Sequence, residues 1–246
     1  MKTRSTNPFE GVRKPLLFAS LSLFSVILFA QESIDYRIFI DSSHVFSALF
    51  RAELPANYGS RIPNDNSTFY AYSEQFETGS VLFRGREYHH LLLNLNADRD
   101  ELCVMDPSGG IVTLLNKNYV DSFSMGGGAG EKGGRCFVHI REEANGGVSA
   151  GYYQVLYSGK VTLYKKIRKS YSEKIGLSVE KKYLLSESFY LWKEERWYKI
   201  ATKGDLKKHF PERKREIVQL SRTRDLNFRT EREHSLIATL SYLDNR

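Results

Sequence analysis

From Gly79 onward the chain alternates apolar and polar residues in short runs, each closed by turn-forming residues. Runs of period two predict strands with one buried face. Ser80 to Phe83 and Arg86 to Leu95 flank Arg84-Gly85, a tight-turn signal. Leu102 to Met105 and Ile111 to Leu115 flank Asp106-Pro107-Ser108-Gly109-Gly110, where proline presets a turn and glycine supplies positive φ. Tyr119 to Ser124, Cys136 to Arg141, Tyr152 to Tyr157 and Val161 to Lys165 continue the series, the last two joined at Ser158-Gly159. Phe189 to Trp192 and Trp197 to Ile200 form one more hairpin around Lys193 to Arg196. Strands spaced this closely pair with their neighbours in sequence, giving an antiparallel meander. Glycine-rich loops at 126–134 and 145–151 interrupt it.

The flanks read differently. Ile34, Tyr36, Ile38 and Ile40 suit a short strand, and Ser43 precedes Val45, Phe46, Leu49 and Phe50 on one helical stripe that ends before Pro55. Residues 56–67, rich in Asn, Gly, Ser and Pro, predict an extended loop. The charged stretch from Ile167 to Lys182 fits a helix followed by a loop. Beyond Ala201 the period is helical: Thr202 caps a helix carrying Leu206 and Phe210, and Pro211 opens a second with Ile217, Val218 and Leu220. Thr230-Glu231-Arg232-Glu233 reads as a capping box for a third, with Leu236, Ile237, Leu240 and Leu243 inward. The expected fold class is therefore α+β: an antiparallel β-meander sheet of about eight to ten strands with a small C-terminal three-helix segment. Its divisions are a signal peptide at 1–30, a strand, helix and loop at 31–78, a β domain at 79–200 and a helical segment at 201–246.

The signal peptide rests on residues Lys2, Arg4, Arg13 and Lys14, followed by an apolar run from Leu16 to Phe29 and the small Ala30. That run is about 15 residues, short of the roughly 20 a spanning helix needs, and no second long apolar run follows, so no transmembrane span is expected in the mature chain. Export to the periplasm or outer surface changes the meaning of the charge. Residues 31–159 carry 10 basic and 16 acidic groups, whereas residues 160–246 carry 22 and 12. In an exported chain this basic half points away from nucleic acid, toward a solvated helical face, anionic lipid, glycan or an acidic envelope protein.

At this point the chain resembles a family of exported Gram-negative bacterial proteins of about this length. The resemblance is carried by Thr78-Gly79-Ser80-Val81 with Gly85 and Tyr88, by Tyr153 and Leu156-Tyr157-Ser158-Gly159-Lys160, and by Phe189-Tyr190-Leu191. It continues through Trp197-Tyr198-Lys199, Leu206-Lys207 and Phe210 to Leu226-Asn227-Phe228, covering about residues 48–243. It implies a β-meander with a helical tail and carries over no activity, ligand or catalytic residue. Members usually hold an aromatic-Asp pair where this chain has Leu95-Asn96.

Candidate chemistry is sparse. Gly147-Val148-Ser149-Ala150-Gly151 fits the Gly-x-Ser-x-Gly elbow, with His209 or His234 as conceivable bases, yet a loop precedes it and a strand follows, where the elbow needs strand then helix. Asp98-Arg99-Asp100-Glu101 offers paired carboxylates but reads as a solvated turn. Cys103 and Cys136, the two cysteines, are either a disulfide or two unpaired thiols. Joining them to His89 or His139 as a metal site fails, since an offset of three on a strand puts Cys136 and His139 on opposite faces. No metal, cofactor or catalytic set is expected. The aromatic-rich later strands suggest a glycan or peptide platform from Tyr157, Lys160, Trp192 and Trp197, with Lys165 and Lys199 beside it. The expectation is a non-enzymatic exported binding protein, the alternative a periplasmic hydrolase with a site near Ser149 and His209 or Asp98.

Overall fold

The computed structural model describes residues 54–55, 58–59, 61–106, 111–126, 134–176 and 178–245. The signal segment, the strand expected over 34–40, the helix over 43–50, the Pro107–Gly110 turn residues and most of the 126–134 loop lie outside the described residues.

Ten antiparallel strands form one sheet: β1 (Glu77–Phe83), β2 (Arg86–Asn96), β3 (Glu101–Met105), β4 (Val112–Leu114), β5 (Val120–Met125), β6 (Arg135–Ile140), β7 (Gly151–Ser158), β8 (Thr162–Ile175), β9 (Val179–Lys193) and β10 (Arg196–Ile200). Three helices follow, α1 (Lys203–His209), α2 (Lys214–Thr223) and α3 (Arg232–Asp244), so the fold is the α+β meander with a helical tail. The strand order is β10-β9-β8-β7-β6-β5-β1-β2-β3-β4. Strands β1–β4 and β5–β10 are thus two meanders, seamed where β5 pairs with β1 rather than β4. The seam is tight, because a Cβ on Gly79 would lie 2.0 Å from the Ser124 carbonyl oxygen. Only glycine lets the two backbones approach this closely.

The stretch from Ile167 to Lys182 corrects the expectation of a helix and loop. It forms the distal half of a long β8–β9 hairpin, in continuous register from Thr162 opposite Trp192 to Ile175 opposite Val179. Its charges stand in cross-strand pairs, Glu173 opposite Lys181 and Lys174 opposite Glu180, while Tyr171 faces Tyr183. Opposed charges favour such pairing, as i,i+4 pairs favour a helix. The sheet curls so far that β8 returns to the β2–β3 turn, where Lys169 N–H donates to Ala97 O at 3.0 Å. Val81, Phe83, Leu93, Leu95, Phe123 and Phe137 are buried in the sheet core.

The helices pack Leu206, Ile217, Leu236 and Leu240 against Leu163, Phe189, Leu191 and Ile200 in one apolar cluster. Thr202 caps α1 as expected, and the structure adds a reciprocal capping box with Asp205. The box expected at α3 does not form: Asn227 Oδ1 accepts from the backbone N–H groups of Arg229 and Thr230, and no side chain caps the helix. Glu233 is drawn instead to a buried lysine.

Candidate functional site

Lys165 and Lys166 are adjacent on β8 and both buried, at 4% and 3% exposure. Neighbours on a strand face opposite sides, so each needs its own acid. Lys165 Nζ donates to Glu233 Oε2 at 2.6 Å in the first turn of α3, with Glu187 Oε1 at 3.5 Å. A carboxylate there also suits the helix dipole. Lys166 Nζ donates to Asp100 Oδ1 at 2.6 Å and to Tyr152 O at 3.0 Å. Asp100 also accepts from Lys117 Nζ and, through Oδ2 at 3.2 Å, from Tyr152 N–H. Burial pulls the Lys166 ammonium down to about 8 against the opposing pull of Asp100. The approach requires Gly151, whose φ is +144° and whose Cβ would lie 2.1 Å from Asp100 Oδ2.

The acidic turn is therefore not a solvated one. Asp100 holds the β2–β3 turn against β7 and β8, closing the curl. Asp98 Oδ2 accepts from Tyr58 Oη at 3.4 Å and Arg61 Nη1 at 3.5 Å, holding the preceding segment. Both carboxylates are engaged in tying the chain together. Their role went unrecognised in the sequence, although two consecutive lysines in an apolar strand signal that one must face inward.

The four residues expected to form a platform separate into two places. Tyr157 and Lys160 are held by the end of α3: Asp244 Oδ2 accepts from Tyr157 Oη at 2.7 Å and from Lys160 N–H at 2.8 Å, and Asp244 O accepts from Lys160 Nζ at 2.9 Å. Burial, then this bond, pushes the Tyr157 phenol up to about 12. Trp192 and Trp197 pack together, their centroids 4.9 Å apart and their planes at 54°, with Tyr164 4.9 Å from Trp197 at 50°. Rings tilted to this degree offer no flat shelf. Trp197 and Tyr164 pack in one cluster with Ala144 and Val148 of the 144–149 loop, to which Tyr190 Oη and Tyr153 Oη donate at Gly147 O, 3.2 Å, and Ser149 O, 2.8 Å. Lys165, buried and paired, is not beside exposed rings.

Ser149 Oγ accepts from Arg168 Nη2 at 2.6 Å and lies 3.5 Å from Tyr153 Oη. A 3₁₀ turn, Asn145–Gly147, leads into it and β7 follows, so the strand-to-helix elbow is missing. The His209 ring lies tilted by 38° against Tyr198, centroids 4.2 Å apart, its imidazole held low by burial and then by Lys208. The disulfide reading is corrected: Cys103 on β3 and Cys136 on β6 are free thiols, with β2, β1 and β5 between their strands. Burial raises the Cys103 thiol to about 12, which suppresses thiolate chemistry.

A concave feature lies on the outer surface of α1 and α2. A groove of about 620 Å³ is lined by Lys207, Lys214, Arg215, Val218, Gln219 and Arg222. Positions 214, 218 and 222 repeat every four residues and share one stripe of α2, alongside the buried Ile217, Leu220 and Ser221. None of the four cations has an ion-pair or side-chain hydrogen-bond partner among the described residues. The acids of the same helices are engaged elsewhere. Asp205 caps Ala201 and Thr202, and Glu216 pairs with Arg213, whose Nη1 also donates to Leu243 O. Electrostatically the groove is positive and open, with the half-buried Val218 in its lining. No described helix is long and apolar enough to cross a membrane. No family model, curated protein or solved structure matches this chain.

Proposed function

We propose that this chain is a non-enzymatic exported protein of the bacterial envelope that binds an anionic partner through the groove between α1 and α2. The observation that carries the reading is that Lys207, Lys214, Arg215 and Arg222 converge on one groove without a counter-charge among the described residues. The buried Lys165 and Lys166 and the part-buried Lys193 and Arg213, by contrast, each find a carboxylate or carbonyl. Four like charges left together repel one another, and a bound anion relieves that repulsion. Export to the periplasm or outer surface is supported by the basic, apolar and small-residue pattern of residues 1–30 and by the resemblance to exported Gram-negative proteins.

Fluorescently labelled inorganic polyphosphate tests the binding reading. The full chain is expected to bind it with a steep loss on adding salt, and the double substitution Arg215→Gln with Arg222→Gln to abolish most of that binding. Binding that is insensitive to both would refute the groove. For export, cell fractionation with N-terminal sequencing is expected to find a mature chain beginning at Gln31 outside the cytosol, and an intact cytosolic chain would refute that part.

A further inference from the structure

We infer that the anionic partner of the α1–α2 groove is a membrane surface bearing anionic phospholipid headgroups, an inference that rests on the groove reading above. Three features of the groove favour a surface over a discrete soluble ligand. First, it is open, and its cations stand on long side chains: Lys214, Arg215 and Arg222 are exposed and Lys207 half-buried. A dedicated small-molecule pocket encloses most of its ligand and fixes it with a few rigid polar groups. No buried polar side chain lines this groove.

Second, the cations are spread. Lys214 and Arg222 lie eight residues apart on α2, about 12 Å along the helix axis, with Arg215 beside the first and Lys207 across the groove on α1. One phosphate cannot satisfy sites so far apart, whereas a layer of headgroups can meet each separately. Third, the only apolar member of the lining is Val218, half-buried between the charges. A face of this composition rests on the headgroups without inserting, so attraction is almost wholly electrostatic.

The magnitude follows from the count. Each Lys or Arg near an anionic membrane strengthens binding by about fivefold, so four unpaired cations supply on the order of several hundredfold. That is weak, reversible association, strongly dependent on ionic strength. It suits a protein that patrols a membrane face and would not anchor it there permanently.

The test is co-sedimentation of the full chain with phosphatidylcholine vesicles prepared with and without phosphatidylglycerol. Expected are binding only with phosphatidylglycerol, loss of that binding as salt is raised, and a partition about 30-fold weaker for Arg215→Gln with Arg222→Gln. An unchanged melting temperature shows that the variant is folded. Binding to phosphatidylcholine alone, or phosphatidylglycerol binding that survives the double substitution, overturns the inference. If vesicles fail to bind while polyphosphate still binds through the groove, the membrane is excluded and the anion-binding reading stands. If neither probe binds, both fall.

Discussion

The same residue types do opposite things at the two ends of this protein's basic half. On β8, Lys165 and Lys166 are almost fully buried, and each is matched to carboxylates by distances of 2.6 Å. On α2, Lys214, Arg215 and Arg222 are exposed and unmatched. A count of charges gives both regions a basic surplus, and sequence alone merges them into one basic tail. Pairing separates them. A buried cation without a partner costs several kcal/mol, so the fold must supply one; an exposed cation costs almost nothing and stays available for something outside the chain.

The sharpest way to break this comparison is to remove the shared acid. Asp100→Asn preserves the side-chain shape and tolerates the left-handed backbone, φ 59°, while leaving Lys166 buried without a counter-charge. Chemical denaturation is expected to show a loss of about 3 kcal/mol. Adding Lys166→Met removes the stranded charge too, and the double variant is expected to recover at least about 1 kcal/mol of that loss. A double variant as unstable as the sum of its parts would mean that Asp100 works through Lys117 and Tyr152 N–H rather than through Lys166.

The pH dependence isolates the same lysine. Lys166 titrates near 8 in the folded protein against an ordinary value of 10.5. Between those values the unfolded chain keeps the proton that the folded chain has released, so raising the pH favours the folded state. The stability of the wild type relative to Lys166→Met is therefore expected to rise across this window, by an amount on the order of 2 kcal/mol. Taking the difference is necessary because Cys103, whose thiol is pushed up to about 12, acts with the opposite sign above its ordinary value. A flat difference would show that Lys166 is more hydrated than its 3% exposure implies. Smaller again, Thr202→Ala removes the α1 cap and is expected to cost about 1 kcal/mol by thermal melting.

Alternation of apolar and polar residues was sufficient to place the strands from Ser80 to Lys165 and the last hairpin, since each buried face is written locally. It missed the distal β8–β9 hairpin because cross-strand charge pairs such as Glu173 with Lys181 are separated by a turn, and read in one dimension they resemble helical charge patterning. It missed the β1–β5 seam because nothing local says which strand completes a pair; only Gly79, where no side chain fits, hints at close contact. Asp100 looked like a turn residue until the curl brought β8 to it. The groove was closer to legible. Lys207, Lys214, Arg215 and Arg222 have no acid four residues away in either direction, so no i,i+4 pair can form.

The smallest effect is the one that most sharply divides the two regions. Lys214→Gln or Arg222→Gln breaks no ion pair or side-chain hydrogen bond among the described residues and leaves the buried face of α2, Ile217 and Leu220, untouched. Stability is expected to move by less than about 0.5 kcal/mol, and upward if it moves, because a like charge has been taken from the groove. Lys165→Gln, by contrast, strands Glu233 and Glu187 near the sheet and is expected to destabilise the chain measurably in the same melting experiment. A groove substitution that destabilised as much as Lys165→Gln would mean that its cations hold the helices together, and the case for an external anion would lose its footing.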